Sequence, residues 1–99
     1  MSRRIVIEPE AEADIARAHQ WYEDQRPGLG DDFALCIEAA LHAIRERPVS
    51  FPKVRKNVRR ILIKRFPYLI LFIEHPSVII VIGIFHTSRN PVLWRNRAR

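Results

Sequence analysis

Tyr68-Leu69-Ile70-Leu71-Phe72-Ile73-Glu74-His75-Pro76-Ser77-Val78-Ile79-Ile80-Val81-Ile82-Gly83-Ile84-Phe85 is the stretch whose reading decides the fold. Its apolar residues come in runs, rich in β-branched and aromatic side chains, with none of the three-and-four spacing of a helix. His75-Pro76-Ser77 supplies a turn between the runs, so Tyr68 to Glu74 and Val78 to Phe85 are predicted to form an antiparallel hairpin. Both alternating faces of each run are apolar, the pattern of strands covered on two sides. Upstream, Val58 to Phe66 reads as a third strand, completing a three-stranded antiparallel meander.

Further upstream the period changes. Leu29, Phe33, Cys36, Ile37, Ala40, Leu41 and Ile44 form an apolar stripe that ends at Arg47-Pro48. Ala11, Ile15, Ala18 and Tyr22, with Trp21 beside them, form another, opened by Pro9 and by Glu10, Glu12 and Asp14 near the helix's positive end. Arg26-Pro27-Gly28-Leu29-Gly30 breaks the pattern between them, so the two helices should fold back as an αα-hairpin. Arg4 to Glu8 is β-branched and bounded by Pro9, a short first strand. The expected architecture is α+β, one domain over residues 1–99: a short N-terminal strand, an αα-hairpin, a meander packed on the helices, and a short C-terminal tail with one helical turn. Two helices cover one face of such a sheet. Val92, Leu93 and Trp94 can fold back over part of the other, and the rest is expected to be an interface for a partner segment or for self-association.

The composition, 47% hydrophobic and 28% charged over 99 residues, excludes a disordered chain and a multidomain enzyme. No apolar run reaches half the length that crosses a bilayer, and the opening residues contain no secretory core, so neither membrane nor export is expected. Cys36 has no second cysteine to pair with and lies on an apolar stripe, which suits a reducing cytoplasm. The formal net charge is +6, but its distribution says more. Residues 1–50 carry six Arg and no Lys against ten Asp and Glu, whereas residues 51–99 carry eleven Lys and Arg against Glu74 alone. The second half is either a solvated basic face or a surface that meets something anionic, such as nucleic acid or an acidic protein segment.

Candidate chemistry is sparse. On the strand at Val58 to Phe66, alternation sends Arg59 and Arg65 to one face with Ile61 and Ile63, and Arg60 and Lys64 to the other with Leu62 and Phe66. That suits anion recognition and also a protected edge strand. His86 opens His86-Thr87-Ser88-Arg89-Asn90-Pro91, which gathers an acid or base, two hydroxyls and a guanidinium at a strand end; the same residues also make a turn cluster. His19 and Glu23 have the i, i+4 spacing of a metal pair, but the sequence offers no third ligand, so no metal and no other cofactor are expected. A G-x-S-x-G nucleophile motif and a phosphate-cradling glycine loop are both missing from the sequence. Metal-free phosphodiester cleavage by His86, with Arg65 and Arg89 on the phosphate, stays open.

The order of elements, together with Arg60-Ile61-Leu62-Ile63-Lys64-Arg65-Phe66-Pro67-Tyr68-Leu69-Ile70-Leu71-Phe72 and the closing Ile84-Phe85-His86-Thr87-Ser88-Arg89-Asn90-Pro91 followed by Trp94, resembles the ParE/RelE toxin superfamily of bacterial type II toxin-antitoxin and plasmid-stabilisation systems. Glu8-Pro9-Glu10-Ala11-Glu12-Ala13-Asp14-Ile15 and the segment Trp21-Tyr22 to Phe33 are similar to the family's helical hairpin. The resemblance implies a toxin neutralised by a cognate antitoxin, in a hetero-oligomer, with the antitoxin's extended segment wrapping helices and sheet. ParE-like members poison DNA gyrase, and RelE-like members cleave messenger RNA on the ribosome. No tyrosine follows Tyr68, and Leu69 stands where ribonuclease relatives carry arginine, which favours the ParE-like branch. The expected effector surface is Arg59, Arg60, Lys64, Arg65, His86, Arg89 and Trp94, helped by Arg95, Arg97 and Arg99. The expected antitoxin contacts are Trp21, Tyr22, Phe33 and, on the open sheet face, Phe72. A ribosome-dependent endoribonuclease and a plain basic nucleic-acid-binding module are the alternatives.

Overall fold

A computed structural model of the chain describes residues 3–88 and 91–98. Strand β1 (Arg4–Ile7) leads through Glu8, whose extended backbone precedes Pro9, into helix α1 (Pro9–Gln25). Proline in the first turn loses no hydrogen bond, and the Glu12 amide donates to the Glu8 carbonyl at 2.9 Å to start the helix. Pro27 ends it. Gly28 then takes a left-handed conformation with φ of 91°, and α2 (Leu29–Glu46) begins at once. Both oxygens of the Glu23 carboxylate, in the last turn of α1, accept amides at the start of α2, from Gly28 at 2.8 Å and Gly30 at 2.9 Å. The first helix thus caps the second, in place of the usual local side chain.

A single 3₁₀ turn (Pro48–Ser50) carries the chain to the sheet: β2 (Lys53–Arg55), β3 (Val58–Leu62), β4 (Tyr68–Glu74) and β5 (Val78–His86), followed by α3 (Pro91–Arg97). The strand order is β1-β5-β4-β3-β2, with β1 parallel to β5 and every other pair antiparallel. The connection from β1 to β5 runs through the αα-hairpin and the β2–β4 meander, long enough for the two strands to pair in parallel. The β4–β5 hairpin occurs where expected, Tyr68 facing His86 and Glu74 facing Ile79, with the His75 amide bonded to the Val78 carbonyl at 2.9 Å.

Three details differ from the sequence reading. Residues 53–55 form a strand ahead of the three that the sequence pattern predicts; Lys56-Asn57 turn it into β3, with Lys56 at φ 48°. Strand β3 stops at Leu62 and does not reach Phe66, because Ile63 to Pro67 fold into a turn that puts Arg65 at φ 72°. Alternation therefore fails beyond Leu62, and Phe66 packs under the helices instead of sharing a face with Leu62. The tail is a longer helix than one turn.

Two apolar layers hold the sheet. Beneath the αα-hairpin, Ala11, Ala18, Tyr22, Phe33, Ile37, Ala40 and Ile44 pack on Ile70, Phe72, Ile79, Val81 and Ile84. The rings of Tyr22, Phe33, Phe66 and Tyr68 contact one another at centroid distances of 4.8–6.1 Å, mostly edge to face. Burial, and then the neighbouring Tyr68, raise the pKa of the Tyr22 phenol above its usual value. On the other face Val58, Leu69, Leu71, Ile73, Ile82 and Phe85 are covered by Val54 of β2 and by Trp94 and Ala98 at the C-terminal end. Trp94 folds back as expected, whereas Val92 and Leu93 remain about half exposed.

Candidate functional site

The second sheet face carries a shallow cleft of about 260 Å³ between β2 and α3, lined by Pro52, Lys53, Val54, Arg60, Leu69, Leu71 and Trp94. Alternation along β3 puts Arg60 on this face, opposite Leu71, and the Arg60 amide is held by the Pro52 carbonyl at 3.1 Å. The Arg95 guanidinium lies 5.7 Å from the Trp94 ring centre. Leu69 and Leu71 make an apolar floor, Arg60 and Lys53 a cationic rim, and no carboxylate is among the lining residues. Among the described residues neither Arg60 nor Lys53 has an ion-pair partner, so both cations are free to meet an incoming anion.

The other expected effector residues are dispersed. Arg59 points to the helix side and donates to the Phe51 carbonyl at 2.6 Å and weakly to that of Val49, tying the 3₁₀ segment to the sheet. Arg65, in the β3–β4 turn, faces Asp32 of α2 at 3.5 Å, and Lys64 beside it is exposed. His86 ends β5 on the helix side, its ring edge-on to Tyr68 at 5.2 Å. Its Nδ1 accepts the Ser88 amide at 3.0 Å, so the neutral ring carries its proton on Nε2. The structure brings Arg60 and Trp94 into one cleft and Arg65 and His86 to one end of the sheet; Arg89 and Arg99 lie outside the described residues.

Arg97 is engaged within the fold. Instead of helping at the surface, its Nη1 donates to Asp14 at 2.9 Å and to the Ile82 carbonyl at 3.0 Å, and its guanidinium stacks 4.8 Å from the Phe85 ring. Asp14 is buried; it also accepts the Ile84 amide at 3.0 Å and the Arg17 guanidinium at 2.6 Å. The reason is topological. Strand β1 stops pairing at Ile7 opposite Val81, so the edge of β5 beyond it has unpaired backbone groups, and Asp14 and Arg97 satisfy one donor and one acceptor there. This latch fastens α3 to α1 and β5.

The expected antitoxin contacts differ in exposure. Trp21 is 57% exposed, but Phe33 and Phe72 are fully enclosed and Tyr22 nearly so, all in the helix-side core. Phe72 is therefore on the covered face, and Leu69, Leu71 and Ile73 occupy the one that was expected to be open. Asp31 of α2, which the sequence spacing did not associate with His19 and Glu23, approaches both, so that one nitrogen or carboxylate oxygen from each lies within 4.8 Å of the others. No helix among the described residues is long and apolar enough to cross a membrane.

A sequence model described as ParE toxin of type II toxin-antitoxin system, parDE, matches residues 5–91. The chain belongs to the ParE toxin family. The ParE match covers α1, α2, the strands from Ile5 onward and the first residue of α3, so the cleft lies within it apart from Trp94, whereas Arg97 of the latch lies beyond it. A solved chain from the chromosomal ParDE toxin-antitoxin system of P. aeruginosa has the same fold, with a TM-score of 0.77 over 88% of this chain and 98% of that one, at 15% identity. Among individually curated proteins none is similar enough to count as a relative. As a member of the ParE family, the chain implies an antitoxin partner.

Proposed function

We propose that this ParE-family chain is the growth-arresting toxin of a two-protein pair, held inactive in the cytoplasm by its cognate antitoxin, and that it acts by protein contact with DNA gyrase. The observation that carries this reading is the second-face cleft, where Arg60, Lys53 and Trp94 rim the apolar floor of Leu69 and Leu71. Arginine and tryptophan over a desolvated floor are the composition of a protein-binding hot spot, and the basic rim suits an acidic partner surface. Trp21, well exposed on α1, remains the candidate antitoxin contact of the original set.

Two features weigh against RNA cleavage. A general base needs a free lone pair, and in His86 one ring nitrogen is occupied by the Ser88 amide while the other bears the proton. Arg65, the expected phosphate ligand, faces the Asp32 carboxylate, which would repel a phosphate brought there.

The test is a plasmid reaction with purified chain, gyrase and ATP. The proposal predicts loss of supercoiling together with accumulation of linear DNA after gyrase is denatured. Unaffected gyrase alongside cleavage of messenger RNA on ribosomes would overturn it.

A further inference from the structure

His19 and Glu23 stand one turn apart on α1, and the hairpin brings Asp31, in the first turn of α2, against them. His19 Nε2 lies 3.2 Å from Asp31 Oδ1, and one ligand atom from each of the three residues falls within 4.8 Å of the other two. Four-coordinate zinc, with bonds of about 2.0–2.2 Å, sets its ligand atoms roughly 3.4 Å apart; the His19–Asp31 hydrogen-bond contact has nearly that spacing, and a Glu23 oxygen lies within 4.8 Å of both. Glu23 is held in position. Its two oxygens accept the Gly28 and Gly30 amides, and each keeps a lone pair for a cation. Gly30 permits this closeness, because a Cβ there would lie 2.6 Å from the His19 carbonyl oxygen and 2.8 Å from Glu23 Oε1. One imidazole with two carboxylates suits a borderline transition-metal ion better than magnesium or calcium, which take oxygen alone. Two carboxylates also balance the charge of a divalent ion.

We propose that His19, Glu23 and Asp31 bind one divalent transition-metal ion, Zn²⁺ by preference, which staples α1 to α2 at the closed end of the αα-hairpin. The site lies apart from the second-face cleft and does not depend on the function proposed for it. Water or a side chain of a binding partner completes the coordination.

The experiment titrates Zn²⁺ into the full chain, purified without a histidine tag and freed of metal with a chelator, following heat of binding and melting temperature. Saturation at one Zn²⁺ per chain in the micromolar range, with a rise in melting temperature, is expected. Both His19→Ala and Asp31→Asn should weaken binding at least about tenfold while the metal-free melting temperature stays near that of the parent. His42→Ala is the control, since His42 pairs with Glu46 at 3.9 Å elsewhere on α2 and should leave binding unchanged. Failure to saturate, equal binding by His19→Ala and Asp31→Asn, or loss of binding in His42→Ala would each overturn the proposal.

Discussion

Under the αα-hairpin, four aromatic rings interlock and two long helices close the sheet; on the opposite face of the same strands, one short helix is fastened through Arg97, which pairs with Asp14 and Glu10, and leaves a cationic cleft beside it. The helix side spends its residues on packing, and its cations are engaged: Arg59 with carbonyls, Arg65 with Asp32. The second face keeps Arg60 and Lys53 without ion-pair partners among the described residues. One side of a small sheet can thus hold the fold, which frees the other to present a binding surface.

If that division is correct, the largest loss of stability comes from the helix side. Phe33→Ala removes the ring that touches Tyr22, Phe66 and Tyr68 and should cost about 3–5 kcal/mol, read by urea unfolding. A cost under about 1 kcal/mol would break the comparison. Next comes the latch: Arg97→Met leaves Asp14 with Arg17 and the Ile84 amide but strips the Ile82 carbonyl of its donor, for a loss of about 2 kcal/mol and weaker protection of α3 in hydrogen exchange. Trp94→Ala, at a half-buried position on the second face, should cost about 1–2 kcal/mol in the same denaturation experiment and enlarge the cleft.

The smallest effect sharpens the picture of the helix-side core. Because burial and Tyr68 raise the Tyr22 pKa in the folded chain, the unfolded chain ionises first as the solution becomes alkaline. Stability should therefore be unaffected by this group below pH 10.0, fall as pH climbs through the folded value, and fall less in Tyr22→Phe, as measured by melting across alkaline buffers.

Much of this was legible in the chain. The β4 and β5 runs and the stripes of α1 and α2 carry strong periods, and the structure follows them almost to the residue. Strand β2 was hidden because only Val54 is apolar among its three residues, and it exists by pairing with β3. Which face Phe72 takes was undecidable from alternation, since Ile70 and Phe72 are as apolar as Leu69, Leu71 and Ile73; the helices choose between them. The latch joins residues 83 apart in sequence, and neither Asp14 nor Arg97 signals it, because an acid in the first turns of a helix and an arginine in a basic tail have ordinary local reasons to be there. In the candidate site Arg60 was readable from strand parity, while the engagement of Arg59 with carbonyls required the fold of residues 48–52. Asp31 joined His19 and Glu23 only through the hairpin, although Asp31 follows directly on the Gly28-Leu29-Gly30 turn that brings it back.

The most direct test of the central claim, that the second sheet face is the effector surface, is gyrase supercoiling with Arg60→Glu set beside Arg45→Glu, a charge reversal at an exposed position on α2. With both variants folded by circular dichroism, Arg60→Glu should lose gyrase inhibition and Arg45→Glu should keep it. Equal inhibition by the two would contradict the account.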